Sequence, residues 1–437
     1  MASLSPSGPI PPPPVAGAPP PGSWRSRTFA SFEVPNYRWF FFGQGTSLVG
    51  SWIRSTAQGW LVYTLTGSRL DLGTVAALAQ LPLFLAPLAG SVADRVDKRR
   101  LLVVLAAAAM ALSLALSWLT WTGEVRVGHV MALAALAGLE FAFELPTRQS
   151  WVVEMVGRGH LMNAIALNSA MFNAARMVGP AAAGLLMGAF AGGGREGALR
   201  GIALCFLVDG LSFLAVIFAL TRIRPARPAA PRKGDGLLEG LGAGFAYVRG
   251  NRRARVLLTL MAITIVFGWS YLALMPAFAK DVLGLGERGF GLLLSANGVG
   301  AALGALWVAG RGEAPSRLAL RRRVFGSIGL FAAMVVAFSR TRDPWLAAAA
   351  LAPAGFGAIS FVSTSNTLIQ QAVPDELRGR VMGIWGMVFG GSFPVGSWLL
   401  SRVADRTDTA LAITLGGGAC LVLCGLVWLR LPPSGDG

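Results

Sequence analysis

Residues 90–122 read GSVADRVDKRR and then LLVVLAAAAMALSLALSWLTWT, a charged turn set against a stretch, 101–122, without one ionisable side chain. As α-helix, a stretch of that length extends about 33 Å at 1.5 Å per residue, enough to cross the roughly 30 Å hydrocarbon core of a bilayer. A second apolar stretch, 72–93, precedes the turn, so the segment reads as two membrane spans joined by a short basic loop. Working outward, further apolar segments occupy 39–64, 127–146, 161–190, 200–221, 256–279, 289–310, 324–339, 344–369, 381–401 and 409–431. The chain is 54% apolar and 14% charged, against roughly 25% charged in soluble domains, with a mean hydropathy of +0.59. An ordinary soluble protein is excluded. The pattern predicts an all-α membrane protein with twelve transmembrane helices.

The formal charge of +17 follows the loops. Those on the side of both termini hold 26 Lys and Arg, the opposite loops hold 10, and Arg54 and Arg176 complete the 38. By the positive-inside rule both termini are expected in the cytoplasm, with the basic loops against anionic lipid. No basic domain is present to hold nucleic acid, so none is expected as a partner. Cys205, Cys420 and Cys424 lie in apolar segments, and His129 and His160 show no metal-ligand spacing, so neither disulfide, metal nor cofactor is expected.

Nine of the first 31 residues are proline, and the segment lacks the basic start and apolar run of a secretion signal. It reads as a disordered cytoplasmic tail, 1–31. The expected organisation continues with a six-helix bundle over 32–222, a cytoplasmic linker over 223–254, a second six-helix bundle over 255–431 and a short tail over 432–437. Within the linker, Leu237, Leu238, Leu241, Phe245 and Val248 are spaced as the apolar face of a short surface helix. Shifting the chain by 214 residues brings Gly90 onto Gly304 and Pro180 onto Pro394, at matching points of the two halves. Such repeats are the usual basis of secondary transporters.

Within the opening segment, Gly90 permits close helix contact, Asp94 can sit at a neighbouring helix start, and Arg95, Lys98, Arg99 and Arg100 can face lipid phosphate. Here the chain resembles the major facilitator superfamily, which carries Gly-x-x-x-Asp-Arg-x-Gly-Arg/Lys-Arg/Lys at this point. The resemblance implies two pseudo-symmetric six-helix bundles and a conformational latch formed by Gly90, Asp94, Arg95, Lys98, Arg99 and Arg100. Asp97 stands where that pattern has its second glycine. In the fifth span, Gly179, Pro180 and Gly184 are similar to the antiporter pattern Gly-x-x-x-Gly-Pro-x-x-Gly-Gly, with alanine at two glycines. Asn36-Tyr-Arg38, Gly43-Gln44, Pro146-Thr-Arg148-Gln149, the run Asn163 to Asn168 and the loop Val373 to Val381 are similar to the bacterial drug and siderophore exporter branch. That resemblance covers about residues 32–431 and implies a multi-pass protein of the bacterial inner membrane.

Five ionisable residues fall inside spans: Arg54, Glu140, Glu144, Arg176 and Asp209. Each costs about 2.5–3.5 kcal/mol on insertion scales, so each needs a partner or a task. Together they leave one negative charge in excess, which a single bound proton neutralises. A static network that orients the helices is the alternative, and Glu144 has Arg148 one turn away as an ordinary partner. The resemblance also points to Gln44, Gln58, Trp269, Tyr271, Phe356, Trp385 and Phe389 as a substrate cavity.

No Gly-x-x-x-x-Gly-Lys-Ser/Thr segment accompanies Lys98, Lys233 or Lys280, and Gly-x-Ser-x-Gly is absent, so no nucleotide engine or hydrolase is indicated. Gly284-x-Gly286-x-x-Gly289 follows no strand. The expected activity is non-enzymatic: a monomeric secondary transporter exporting amphipathic small molecules in exchange for protons by rocker-switch alternating access. A lysophospholipid transporter and a non-transporting sensor on the same scaffold remain alternatives.

Overall fold

The structure is a computed structural model that describes residues 29–93, 95–223, 237–311 and 317–431. Asp94, Lys233, and the prolines of the tail and central linker lie outside the described residues. In chain order the helices are α1 (Pro35–Thr66), α2 (Arg69–Gln80, a 3₁₀ stretch Leu81–Leu85, then Ala86–Ala93) and α3 (Lys98–Trp121). Next come α4 (Val127–Gly157), α5 (158–188), α6 (Gly194–Arg222) and α7 (Leu237–Gly250). The remainder are α8 (Arg252–Val282), α9 (Glu287–Gly310), α10 (Arg317–Arg340), α11 (Pro344–Ala372), α12 (Asp375–Arg406) and α13 (Thr409–Leu429).

All but α7 are spans, giving two bundles of six. Eight of them, α3, α4, α6, α8, α9, α10, α11 and α13, are long and apolar enough throughout to cross a bilayer on those grounds alone. The other four, α1, α2, α5 and α12, all contribute to the interior cavity.

The loop expected after residue 146 is instead helical. Pro146 leaves the helix unbroken, the Thr147 hydroxyl donates to the Phe143 carbonyl at 2.7 Å, and α4 ends only at Gly157, whose φ of +66° suits glycine. Likewise Pro374 ends the loop before α12, which starts at Asp375 and takes in most of the segment expected to be loop. Asp97, in place of glycine, is the N-cap of α3: its carboxylate accepts from the Arg100 amide at 2.8 Å.

Of the segment read as tail, only residues 29–31 are described. Ser31 is fully buried, its amide donating to Asn163 Oδ1 at 2.8 Å and its hydroxyl to the His160 carbonyl at 2.9 Å. Tyr37 joins the same junction, its hydroxyl shared between the Ala164 carbonyl (3.1 Å) and Asn168 Oδ1 (3.0 Å). Two segments read separately in the sequence, around Tyr37 and from Asn163 to Asn168, thus meet where α1 crosses α5. Tyr37→Phe is expected to cost about 1 kcal/mol, the net value of a hydrogen bond, measured as a lower thermal midpoint in detergent without loss of transport.

α7 packs on the second bundle. The Tyr247 hydroxyl donates to the Ala372 carbonyl at 2.7 Å, and Gly244 lies against Ile384 and Arg380 of α12. Of the apolar face read in the sequence, Phe245 projects away, 53% exposed, while Val248 packs against the core, and the side chains of Leu237, Leu238 and Leu241 lie outside the described residues.

The two bundles meet along α5 on α9 and α2 on α12. A Cβ at Gly184 would lie 2.9 Å from the Glu287 carbonyl oxygen, and one at Gly73 would lie 2.5 Å from the Ser397 carbonyl oxygen. At the 214-residue shift, Gly184 against Glu287 becomes Trp398 against Gly73, one residue from the contact found. The internal repeat is therefore present in the packing as well as in the spacing of prolines.

Candidate functional site

Between the bundles lies a cavity of about 410 Å³. Trp52, Ser55, Thr56, Gly59 and Val62 recur at helical period and present one face of α1 to it; α2, α5, α8, α9, α11 and α12 complete the wall. Trp269 stands where α8 leaves α-helical geometry: a π-type turn over Thr264–Gly268 passes into a 3₁₀ stretch over Trp269–Leu274, and the Ser270 hydroxyl reaches the Ile265 carbonyl at 2.9 Å. Such interruptions re-aim side chains, and here the indole is turned to the cavity. Trp269 meets Phe389 edge-on at 6.1 Å, and Phe389 stacks on Trp385 at 5.4 Å.

Of the residues expected to form the cavity, Gln58, Trp269 and Phe389 line it. Gln44, Tyr271, Phe356 and Trp385 are outside the lining. Tyr271 is enclosed in the second bundle by Phe331 and Phe338, its hydroxyl accepting from Asn297 at 2.9 Å. Phe356 packs on Trp307, and Trp385 backs Phe389 from behind. Helical period alone does not tell which face of a span is turned inward. Trp52, Phe172 and Asn297 were missed; Asn297 had a readable signal, as an amide within an otherwise apolar span.

The charged residues form separate sites. Asp209, fully buried, pairs with Arg54 at 3.1 Å and accepts from Ser113 at 2.5 Å through Oδ2. Its Oδ1 has no hydrogen bond of standard geometry, with the Ser51 hydroxyl alongside. Glu140 is within electrostatic reach of Arg54, Asp209, Glu144 and Arg148, and among the described residues no hydrogen bond holds it. Glu144 is taken by Arg148 at 2.6 Å. Arg176 is apart from this group, on the cavity wall, with its guanidinium between Trp52 and Trp269 at 5.9 and 5.5 Å and a 3.0 Å bond to Asn297 Oδ1. The five-residue set expected from the sequence therefore resolves into Arg54, Asp209 and Glu140, a local pair at Glu144, and a solitary Arg176.

Gln58 joins the charge group to the cavity. Its Oε1 accepts from Arg54 at 3.3 Å, and the side chain borders both the cavity and a void of about 20 Å³ among α1, α3, α4 and α6.

Residues after α2 bond to α4 and α6. Lys98 bonds Ser150 at 2.7 Å and Glu154 at 2.5 Å, while Arg99 donates to the Leu220 and Thr221 carbonyls at 2.8 and 3.1 Å, closing the end of α6. Arg95 and Arg100 are exposed, and a Cβ at Gly90 would have Pro146 at an ordinary 3.8 Å. Gly179 does make a close approach, to Trp52 of α1, and the Pro180 carbonyl abuts Gly291 of α9.

A cluster unforeseen from the sequence closes the face opposite the termini. The Tyr63 hydroxyl donates to Asp281; Arg69 bonds Asp281 at 3.2 Å and Thr409 at 2.7 Å; Trp60 donates to Glu287 at 3.3 Å and stacks on Phe290 at 5.3 Å. Each contact crosses from one bundle to the other. As loop or span-end residues, they carry no signal in one dimension.

A model of the transmembrane secretion effector family matches residues 26–434. The multidrug efflux pump Tap of Mycolicibacterium fortuitum is 30% identical over 410 residues, covering 90% of this chain and 94% of Tap. The staphyloferrin A transporter of Staphylococcus aureus is 24% identical, covering 84% of this chain and 89% of the transporter. The crystal structure of a bacterial homologue of the iron transporter ferroportin, in an inward-facing state, superposes with a TM-score of 0.69 at 16% identity, covering 91% of this chain and 98% of the homologue. With a match that spans both bundles and the linker between them, the chain belongs to the transmembrane secretion effector family, in the drug and siderophore exporter branch of the major facilitator superfamily.

Proposed function

We propose that the chain is a secondary exporter that carries amphipathic small molecules out of a bacterial cell in exchange for protons. The face holding the termini is the cytoplasmic one, on the excess of Lys and Arg in its loops. The opposite face, closed by the cluster around Asp281, is the outer gate; alternating access requires that cluster to part as the bundles rock. Substrate binds in the aromatic cavity, whose volume of about 410 Å³ suits a drug-sized molecule.

One observation carries the reading: Arg54, Asp209 and Glu140 leave one uncompensated negative charge inside the first bundle, and Gln58 connects that group to the cavity wall. A proton at this site neutralises the group, and a substrate that displaces Gln58 shifts Arg54 and so changes the proton's affinity. Coupling is reciprocal, as linkage requires.

Everted vesicles, with the cytoplasmic face outward and an acid lumen, test the proposal. A panel of amphipathic acids, bases and neutral compounds should include members that accumulate inside, and an uncoupler should collapse the accumulation. A panel in which nothing moves under the gradient would overturn proton-driven export.

A further inference from the structure

Arg176 is only 6% exposed, yet among the described residues no carboxylate lies within ion-pair distance of it. The other four charges read inside spans, Arg54, Glu140, Glu144 and Asp209, each have a counter-charge in reach. Burying an unpaired guanidinium is expensive, and sites that retain one have something for it to bind. Two indoles and the Asn297 carbonyl oxygen offset part of that cost. Among the described residues, only one guanidinium nitrogen, Nη2, has a protein acceptor, and the side chain forms part of the cavity wall.

The rest of the wall has no opposing charge. Arg176 is the single ionisable side chain among the described lining residues, and the remaining polar ones are neutral: Ser55, Thr56, Gln58, Gln80 and Asn297. An ammonium group placed here would face a fixed positive charge at short range in a medium of low dielectric, with no carboxylate to receive it. A carboxylate would complete a charge-assisted pair, with Trp52, Trp269, Phe172 and Phe389 around it for aromatic rings.

Resting on the exporter reading above, we propose that the cavity selects aromatic or amphipathic acids, with Arg176 binding the anionic head group and the surrounding rings binding the apolar body. The same arrangement excludes organic cations.

The test uses the full chain in nanodiscs at pH 7 and calorimetric titration with three probes of one shape: 2-naphthoate, 2-naphthamide and 2-naphthylmethylammonium. Naphthoate should bind at least about tenfold more tightly than the amide, and the ammonium compound most weakly, since bonds to a charged group are worth about tenfold to a hundredfold in affinity. Arg176→Gln should remove that advantage while leaving the amide within about twofold, and Arg176→Lys should retain the preference for the acid. The order of the three probes on the unaltered chain needs no variant to fold. Ammonium binding as tight as naphthoate, no naphthoate binding, or an equal loss of acid and amide in Arg176→Gln would each overturn the proposal. The vesicle experiment separates this from the exporter reading: a chain that pumps organic bases keeps that reading and sinks acid selectivity. A chain that binds naphthoate through Arg176 but pumps nothing does the reverse.

Discussion

Asp209→Asn and Glu140→Gln are each expected to abolish pH-gradient-driven efflux, by at least about a hundredfold, while both proteins still insert and fold. The two substitutions act differently. In Glu140→Gln the Arg54–Asp209 pair at 3.1 Å is untouched and the local group becomes neutral at every pH, so the site has no proton to exchange. Substrate should then still equilibrate across the membrane, and counterflow of labelled for unlabelled substrate should persist when gradient-driven accumulation is gone. In Asp209→Asn the buried acceptor of Arg54 and Ser113 loses its charge. Removing one member of a buried pair costs about 3–5 kcal/mol where the other is stranded, and less where a second carboxylate is in reach, as Glu140 is here. Arg54 therefore re-pairs with Glu140, and the group is neutral but fixed. Counterflow should fall in this variant as well, because Gln58, held by Arg54 at 3.3 Å, moves with it. Gradient-driven accumulation that is unchanged in both variants would remove this group as the proton carrier.

The sequence revealed the spans because a bilayer imposes one simple demand, a long apolar helix, and α3 and α13 meet it to within three residues at each end. It revealed Arg54, Glu140 and Asp209 for the same reason, since charge within an apolar run is conspicuous. Grouping them with Arg176 was the error. All are first-bundle residues inside spans, but α1 turns Trp52 and Ser55 to the cavity and Arg54 towards Asp209 of α6, while α5 turns Arg176 to the cavity. Whether two charges share a site depends on helix rotation, which composition does not encode. Pro146 misled in a different way: proline commonly ends a helix, yet α4 continues through it to Gly157. The cluster of Tyr63, Arg69, Asp281 and Thr409 on the face opposite the termini was invisible because its members lie at ordinary polar ends of four helices, up to 346 residues apart in number, and gain meaning only when two bundles close.

That closure depends on glycine, and Gly291→Leu tests it. A Cβ at Gly291 would stand 2.4 Å from the Pro180 carbonyl oxygen and 2.9 Å from Gly184 Cα. Both are backbone atoms of α5, so no side-chain rotation relieves the clash. The carbonyl belongs to the proline whose position is repeated at Pro394, and the neighbouring contact, Gly184 on Glu287, has its counterpart one residue off the repeat, at Gly73 on Ser397. The affected surface is thus one of two equivalent seams on which the bundles meet. Overpacking a tight contact costs about 1–3 kcal/mol, which displaces a two-state equilibrium by about fivefold at the lower end of that range and about 150-fold at the upper. Because the seam is intact with the face opposite the termini closed, the cost falls on that arrangement, and transport that must pass through it should slow by a similar factor. Val62→Cys supplies the readout, since Val62 is buried at the cavity edge on α1 and the native cysteines are buried. A membrane-impermeant maleimide applied from outside should label it faster when Gly291→Leu is also present. Gly425→Leu is the control, because nothing lies within 4 Å of a Cβ there. Unaltered labelling and transport in Gly291→Leu would mean that the seam between α5 and α9 is a resting contact only and that the bundles close without it.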